Sequence, residues 1–250
     1  MFSEDKDNRI VVSSQGIGRR SEEAGSIDEH ALQFDPSSQC EYITGSCFAL
    51  EQVKILSENN WDANEIAQSF HTYRDLLIEY SEQDGFTPIN CDGGDLLLSG
   101  ALIDCLPHNI VKAGKDHYEF IDREWRSKAP VRLSYLLFRA TVSLSKFAVK
   151  IAGSRSEKIK TWGDLLTLVY YCFGIRTDDG LLHEIFDLEA TLRVLVFGHG
   201  DPNDYAVWMS TPINFNLPVS HRIDHDHEKN YAPSVTRTSE VSEMQLGDGN

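Results

Sequence analysis

The segment WDANEIAQSFHTYRDLLIEYSEQDG, residues 61–85, constrains the fold more than any other part of the chain. Apolar side chains recur along it every three or four residues, at Ile66, Phe70, Tyr73, Leu77 and Tyr80. This spacing places them on one face of a helix. Asp62, with Glu65 three residues later, is typical of a capping box at the start, and Gly85 is typical of the end. We therefore predict an amphipathic helix with one buried face.

Other segments carry the same kinds of signal. Helices are predicted at 48–58, 131–153, 161–174 and 178–197. Thr161 and Asp164 form a second capping box at the start of the third of these. Alternating residues around a turn at 113–115 predict a β-hairpin with strands near 109–112 and 117–122, and RIVVSS, residues 9–14, is a candidate strand. Strands and helices come in blocks, so the predicted class is α+β and predominantly helical.

Composition divides the chain into three parts. Residues 1–38 are polar and interrupted by Gly and Ser, so we expect a poorly ordered segment there. Residues 39–199 hold the predicted helices and the hairpin. Residues 200–250 are polar and lack periodicity, which predicts a disordered tail.

Several classes of protein are disfavoured. No run approaches the roughly 18 apolar residues that span a bilayer, and the acidic start MFSEDKDNRI is not a secretory signal. The five cysteines, Cys40, Cys47, Cys91, Cys105 and Cys172, show no C-x-x-C spacing. These features predict reduced thiols and a cytoplasmic protein. A net charge of −16 argues against general nucleic-acid binding, which relies on neutralising phosphates.

Positive charge is nevertheless concentrated in one segment. Residues 123–160 contain ten Lys or Arg against two Glu, while the rest of the chain is strongly acidic. Arg132, Arg139 and Lys146 recur every seven residues, so they share one face of the predicted helix. Two interpretations remain open: contact of residues 130–152 with an anionic membrane surface or a lipid-linked acceptor, or a partly buried helix whose cationic side chains reach solvent.

Polar residues cluster around the hairpin. Asp104, Pro107 and Asn109 precede it, and Asp122 follows its second strand. Mg²⁺ takes oxygen ligands, and phosphoryl transfer needs a carboxylate beside the attacking hydroxyl. The alternative is that these are turn and cap residues, with Asn109 hydrogen-bonded to the backbone. Within the loop, His108 and Cys105 are interpreted as packing residues.

DCLPHN, residues 104–109, resembles the D-x-x-P-x-N catalytic loop of the protein-kinase-like superfamily, as found in aminoglycoside and other small-molecule kinases. FIDREW, residues 120–125, resembles the metal-binding Asp segment of these enzymes. The resemblance implies a kinase-like large lobe over 39–199 and a reduced or missing small lobe within 1–38. It also implies ATP and Mg²⁺ as cofactors, Asp104 as the catalytic base, and Asn109 and Asp122 as metal ligands.

The wider pattern ALIDCLPHNIV, FIDREW, VRLSYLLFRA and DLEATLRVLVFG is similar to a narrower group. This group is the kinase-like region that follows methyltransferase domains dependent on S-adenosylmethionine in bacterial O-antigen and other surface-polysaccharide synthesis proteins. The similarity implies phosphorylation of a sugar hydroxyl on a glycan or lipid-linked glycan. It also implies a methyltransferase or glycosyltransferase partner and a cytoplasmic location, peripheral at the inner membrane.

The sequence departs from the kinase pattern in three places. Leu102 and Ile103 precede Asp104, where active kinases commonly carry His with Arg or Gly. QGIGRR, residues 15–20, is the sole G-x-G candidate for a phosphate-covering loop, and no Lys lies on a predicted strand before residue 40. These departures keep two alternatives open: a non-catalytic module that docks a partner enzyme, or the C-terminal part of a methyltransferase protein.

Overall fold

The structure, a computed structural model, describes residues 2–4, 10–13, 32–34, 39–41, 43–148 and 150–213. Within these ranges the chain forms six helices: α1 (Phe48–Ser57), α2 (Ala63–Gln83), α3 (Leu133–Phe147), α4 (Trp162–Cys172), α5 (Asp179–Phe197) and α6 (Asn203–Ser210). Short strands and 3₁₀ turns fill the space between α2 and α3. The class is therefore α+β, as predicted.

Four small antiparallel sheets contain the described strands. The strands are β1 (Phe2–Glu4), β2 (Ile10–Ser13), β3 (Leu32–Phe34), β4 (Gln39–Glu41), β5 (Ser46–Cys47), β6 (Ile89–Asn90), β7 (Leu96–Leu98), β8 (Ile110–Lys112), β9 (Tyr118–Phe120), β10 (Trp125–Ser127) and β11 (Val131–Arg132). Their orders are β1-β2-β4, β10-β3, β11-β7-β6 and β5-β8-β9. The predicted hairpin is β8-β9, with Ile110 opposite Phe120.

Helix α3 lies at the centre of the core. Eleven of its 15 residues are buried, so it is enclosed on most sides. The ring of Phe138 contacts Phe186, Tyr205 and Trp208 at centroid distances of 5.6, 5.4 and 5.8 Å. Burying a side chain of this size contributes about 1.5–3 kcal/mol, so the apolar residues of α3 contribute strongly to hydrophobic stabilisation.

The predicted helix signals are mostly confirmed. Asp62 caps α2 by accepting a hydrogen bond from the Asn64 N–H at 2.8 Å, one residue before the N–H that a capping box would use. Thr161 and Asp164 do form the predicted capping box at α4, with hydrogen bonds of 3.1 and 2.8 Å. Gly198 ends α5 in the left-handed conformation, with φ 81°.

Two predicted boundaries are wrong. The helix expected from residue 131 begins at Leu133, because Val131 and Arg132 pair with β7 as a strand, and it ends at Phe147. The tail expected from residue 200 contains α6, whose Tyr205 and Trp208 are buried. Aromatic contacts to α3 order this short helix, and a segment of eight residues is too short for a clear periodic signal. Residues 214–250 of the predicted tail lie outside the described residues.

The first 41 residues contain more strand than predicted. Strands β1, β2 and β4 make a three-stranded sheet, and β2 confirms the candidate strand in residues 9–14. QGIGRR lies outside the described residues. None of the helices in the described ranges is both long and apolar enough to cross a membrane. The four cysteines in those ranges, Cys47, Cys91, Cys105 and Cys172, are free thiols.

A buried carboxylate joins the sheet to the central helix. Asp95, directly before β7, is only 3% exposed. It accepts hydrogen bonds from the Ser134 N–H at 3.0 Å and the Ser134 hydroxyl at 2.6 Å. Arg132, the residue at the N-cap of α3, provides no side-chain cap. Asp95 therefore accepts, from outside the helix, the hydrogen bond of a first-turn N–H that has no partner within the helix. The Tyr170 hydroxyl donates to the Ser134 carbonyl at 2.8 Å and brings α4 to the same point.

We expect Asp95→Asn to lower the free energy of unfolding by about 2–4 kcal/mol, because buried donors lose a charged acceptor. The matched control is Asp178→Asn at the N-cap of α5, where the side chain accepts from the Leu181 N–H at 2.8 Å. Asn and Asp are nearly equivalent N-caps, so this control should change stability by less than about 0.5 kcal/mol. Urea unfolding measures both, and equal losses would contradict the role assigned to Asp95.

Candidate functional site

The structure brings the three predicted site residues together at one end of the β8-β9 hairpin. Asp104 lies in the loop after β7, Asn109 immediately precedes β8, and Asp122 follows β9. The Asn109 side-chain amide donates to the Asp104 carbonyl at 2.9 Å and to the Asp122 carbonyl at 3.4 Å. The Ile121 N–H in turn donates to the Asn109 carbonyl at 2.8 Å. Asn109 thus joins the two aspartates through their backbones.

Three consecutive carbonyl groups around Asp104 are each held by a side chain from a different element. Arg139 of α3 donates to the Ile103 carbonyl. Asn109 donates to the Asp104 carbonyl, and the buried Tyr73 hydroxyl of α2 donates to the Cys105 carbonyl at 2.8 Å. We call this arrangement the carbonyl anchor. It fixes the backbone on both sides of Asp104 and so restricts the direction of its side chain.

Burial raises the pKa of Asp104 to about 6. The nearby guanidinium of Arg139 opposes this shift, whereas the negative charges of Asp122, Glu124 and Glu189 add to it. A carboxylate with this pKa is still mainly ionised at pH 7 and can accept a proton. Its pKa is also closer to 7 than that of an ordinary aspartate, which is favourable for a general base.

Arg139 links the loop to the helical core. Its Nε atom lies 2.9 Å from Oε2 of Glu189 on α5, and the Tyr135 hydroxyl donates to the same oxygen at 2.7 Å. The sequence predicted that Arg139 would share a basic face with Arg132 and Lys146. The structure instead directs Arg139 inward, where it forms a largely buried ion pair, so it contributes little to an exposed basic face.

Asn109 and Asp122 have the donor atoms that a hard cation requires. Because Nδ2 of Asn109 donates to two carbonyls, Oδ1 is the atom of that side chain that a cation would use. Asp122 is exposed and has φ 54°, an uncommon conformation for a non-glycine residue, often found at functional positions. Burial, and then the charge of Glu124, raise the pKa of Asp122.

This donor set fits Mg²⁺, which commonly takes one or two carboxylates together with water and phosphate oxygens. The described residues contain no group of three or more His, Cys, Asp or Glu side chains arranged around a metal position. Protein ligands from Asn109 and Asp122 would therefore need to be completed by water and phosphate. Glu124 is half-buried and is close enough to raise the pKa of both aspartates.

The sequence left a surface salt bridge from Glu124 to Arg123 or Arg126 as an alternative. Neither pair forms: Arg126 bonds Asp84 at 2.9 Å, and the Arg123 guanidinium lies 4.8 Å from the centre of the Tyr80 ring. Glu124 therefore remains close to the site without a cationic partner among the described residues. The negative charge of Glu124 raises the pKa of both Asp104 and Asp122.

The remaining loop residues are structural, in agreement with the sequence interpretation. Nδ1 of His108 lies 2.8 Å from the Ser143 hydroxyl, and its ring contacts Phe147. Burial, together with the cations Arg139 and Lys146, lowers the pKa of His108 to about 4, so the imidazole is neutral at pH 7. Burial raises the pKa of Cys105 far above its usual range, which excludes a reactive thiolate.

Sequence reasoning missed the residues that support the loop. Tyr73 was assigned only to the apolar stripe of α2, and Glu189 was given no role. Their contacts join residues 32 and 54 positions apart, so no local spacing could reveal them. The tyrosine at position 73 of the apolar stripe was the available signal, because a buried hydroxyl needs a partner.

Comparisons with known proteins found no match, either to a family model, to a curated protein or to a solved structure. The kinase-like resemblance therefore rests on the sequence motifs alone.

We expect Asp104→Asn to stabilise the protein at pH 8 by about 2–3 kcal/mol, since the raised pKa means that ionised Asp104 is costly in the folded state. Wild-type stability should fall relative to the variant as the pH rises from about 4, the pKa in the unfolded chain, to about 6. Urea unfolding between pH 4.5 and 8 measures the difference. Exposed Asp75→Asn is the control, and a constant difference across this range would contradict the assignment.

Proposed function

We propose that this chain is a kinase-like module that transfers a phosphoryl group from ATP, with Mg²⁺, to a sugar hydroxyl of a bacterial surface glycan. The carbonyl anchor around Asp104 is the observation that carries the proposal. A base in phosphoryl transfer acts mainly by position and charge, and Asp104 is held on both sides with a pKa near 6.

In the proposed reaction, Asp104 orients the acceptor hydroxyl and accepts its proton. Arg139 keeps the carboxylate ionised at neutral pH and holds the preceding carbonyl in place. Asn109 through Oδ1 and Asp122 through its carboxylate would hold Mg²⁺. When bound, the metal supplies positive charge that neutralises the phosphates. The closeness of Glu124 adds negative charge at the same end of the hairpin.

A second candidate is a non-catalytic module that binds a methyltransferase or glycosyltransferase partner at the cytoplasmic face of the inner membrane. The composition of the N-terminal strands favours it. Strands β1 to β4 read FSE, IVVS, LQF and QCE, so none of these described strands offers a Lys or Arg to nucleotide phosphates. A catalytic module would need a positively charged side chain for the phosphates from another part of the chain.

Melting temperatures with ATP and Mg²⁺ separate the two candidates. Catalytic function predicts a Mg²⁺-dependent rise for the wild type, because a ligand that binds only the native state stabilises it. Asp122→Asn should lose this rise because it removes a metal ligand. Asp104→Asn should retain it, since the base does not hold the nucleotide. Asp75→Asn, on the exposed face of α2, is the charge-matched control and should behave as the wild type.

Transfer to a panel of sugars, followed with radiolabelled ATP, then tests the reaction itself. Loss of the base in Asp104→Asn should slow transfer by about 10²–10⁴-fold while nucleotide binding persists. Absence of any Mg²⁺-dependent thermal shift in the wild type would overturn the catalytic proposal and support the interaction module.

A further inference from the structure

A cavity of about 190 Å³ lies between one face of α5 and the strands β3, β7 and β11. We call it the aliphatic cavity, because most of its lining is leucine, isoleucine or valine, including Leu32, Leu97, Val131, Ile185, Leu188 and Leu192. Tyr135 is the one aromatic residue of the described lining, and its hydroxyl already donates to Glu189. The interior therefore offers apolar surface and few groups for hydrogen bonding.

A second cavity, of about 300 Å³, adjoins the first. The two cavities share Arg132 and Glu184 in their linings, so the ion pair between these residues lies at the boundary. The Arg132 Nε atom is 3.5 Å from Oε1 of Glu184, and the side chains are 38% and 60% exposed. Ion pairs with this exposure contribute little free energy. A ligand can therefore separate Arg132 from Glu184 without a large loss of stability.

The second cavity carries a net negative charge, and we call it the acidic cavity. Four carboxylates and two guanidinium groups line it: Asp92, Asp95, Asp178, Glu184, Arg132 and Arg176. The N-terminus of α5 adds about half a positive charge, which leaves the excess negative. Asp92 is exposed and has neither an ion pair nor a side-chain hydrogen bond with the described residues. The charge that complements this cavity is that of a cation.

The two linings together select one class of ligand. An aliphatic chain in the first cavity would remove apolar surface of both partners from water, which is favourable. An ammonium group in the second cavity can donate to Asp92 and Glu184, because both carboxylates are exposed. A carboxylate or phosphate head group would instead meet like charges there.

We propose that the two cavities form one binding site for a small cationic amphiphile, with its aliphatic chain in the aliphatic cavity and its ammonium group in the acidic cavity. The chain supplies affinity and the ammonium group supplies selectivity. The site does not depend on phosphoryl transfer, because Asp104, Asn109 and Asp122 line neither cavity. Binding is therefore measured without ATP or Mg²⁺.

Alkylamines from hexylamine to dodecylamine are the probes, used with the full-length protein below the concentrations at which they form micelles. Each is cationic at pH 7. Affinity in titration calorimetry should rise about fourfold for each added methylene group, because each one buries further apolar surface. Decylamine at 100 times its dissociation constant should raise the melting temperature by about 5–10 °C. Affinity that does not change with chain length would overturn the proposal.

Decanoate is the matched control ligand, because it has a chain of similar length and the opposite charge. Its carboxylate would lie among the carboxylates of the acidic cavity, so it should bind at least about tenfold more weakly than decylamine. Equal binding of decanoate and decylamine would show that the acidic cavity does not hold the head group, and the proposal would be wrong.

Glu184→Gln tests the contact with the head group and leaves the core intact, because this side chain is exposed. The variant should bind decylamine about three- to tenfold more weakly than the wild type, since it loses a charged acceptor. Glu79→Gln, in an exposed glutamate of α2, removes the same charge and should bind decylamine as the wild type does. Equal affinities of the wild type and Glu184→Gln would contradict the proposal.

Thr191→Phe tests the aliphatic cavity. Thr191 lines this cavity from α5 and is half-buried, so a larger side chain there should fill the space that the alkyl chain needs. The variant should lose the thermal response to decylamine. Val194→Phe, at a 48% exposed position of the same helix outside the lining, should respond as the wild type does. An unchanged response of Thr191→Phe would assign alkylamine binding to another surface and overturn the proposal.

Discussion

The ion pair between Arg139 and Glu189 inside the helical core is the interaction on which the rest of the structure depends. Burying a guanidinium costs free energy unless it is paired and hydrogen-bonded, and Arg139 has both kinds of partner, Glu189 and the Ile103 carbonyl. These contacts fix α3 relative to α5 and attach both helices to the loop that carries Asp104. The core and the candidate site are therefore held by the same side chain.

The contact between α3 and the loop also affects the pKa of Asp104. Burial makes ionised Asp104 costly, and the charge of Arg139 recovers part of that cost, so the pKa of the carboxylate reaches only about 6. The carbonyl anchor holds the backbone on both sides of Asp104. The negative charges of Asp122 and Glu124, at the adjacent end of the hairpin, add to the effect of burial on the pKa of Asp104.

Elements with a strong local signal were predictable. Helices α1, α2, α4 and α5 and the β8-β9 hairpin match their predicted positions closely, because caps, turns and apolar periodicity act within a few residues. The grouping of Asp104, Asn109 and Asp122 was also anticipated by their spacing around the hairpin. The start of α3 was not, because Val131 and Arg132 pair with β7, a strand more than 30 residues away.

The amino-acid sequence therefore specified the α+β class, most of the helices and the position of the polar cluster, all through short-range patterns. Tertiary contacts decided which polar groups are buried and what they meet. Arg139, expected on an exposed basic face, is directed inward because Glu189, 50 residues later, is the partner that makes its burial tolerable. Arg193 of α5 is buried and lies close to Tyr205 of α6, a contact that spacing along the chain does not reveal. Whether a charged side chain is buried or exposed depends on its neighbours in three dimensions, and spacing along the chain does not identify these neighbours.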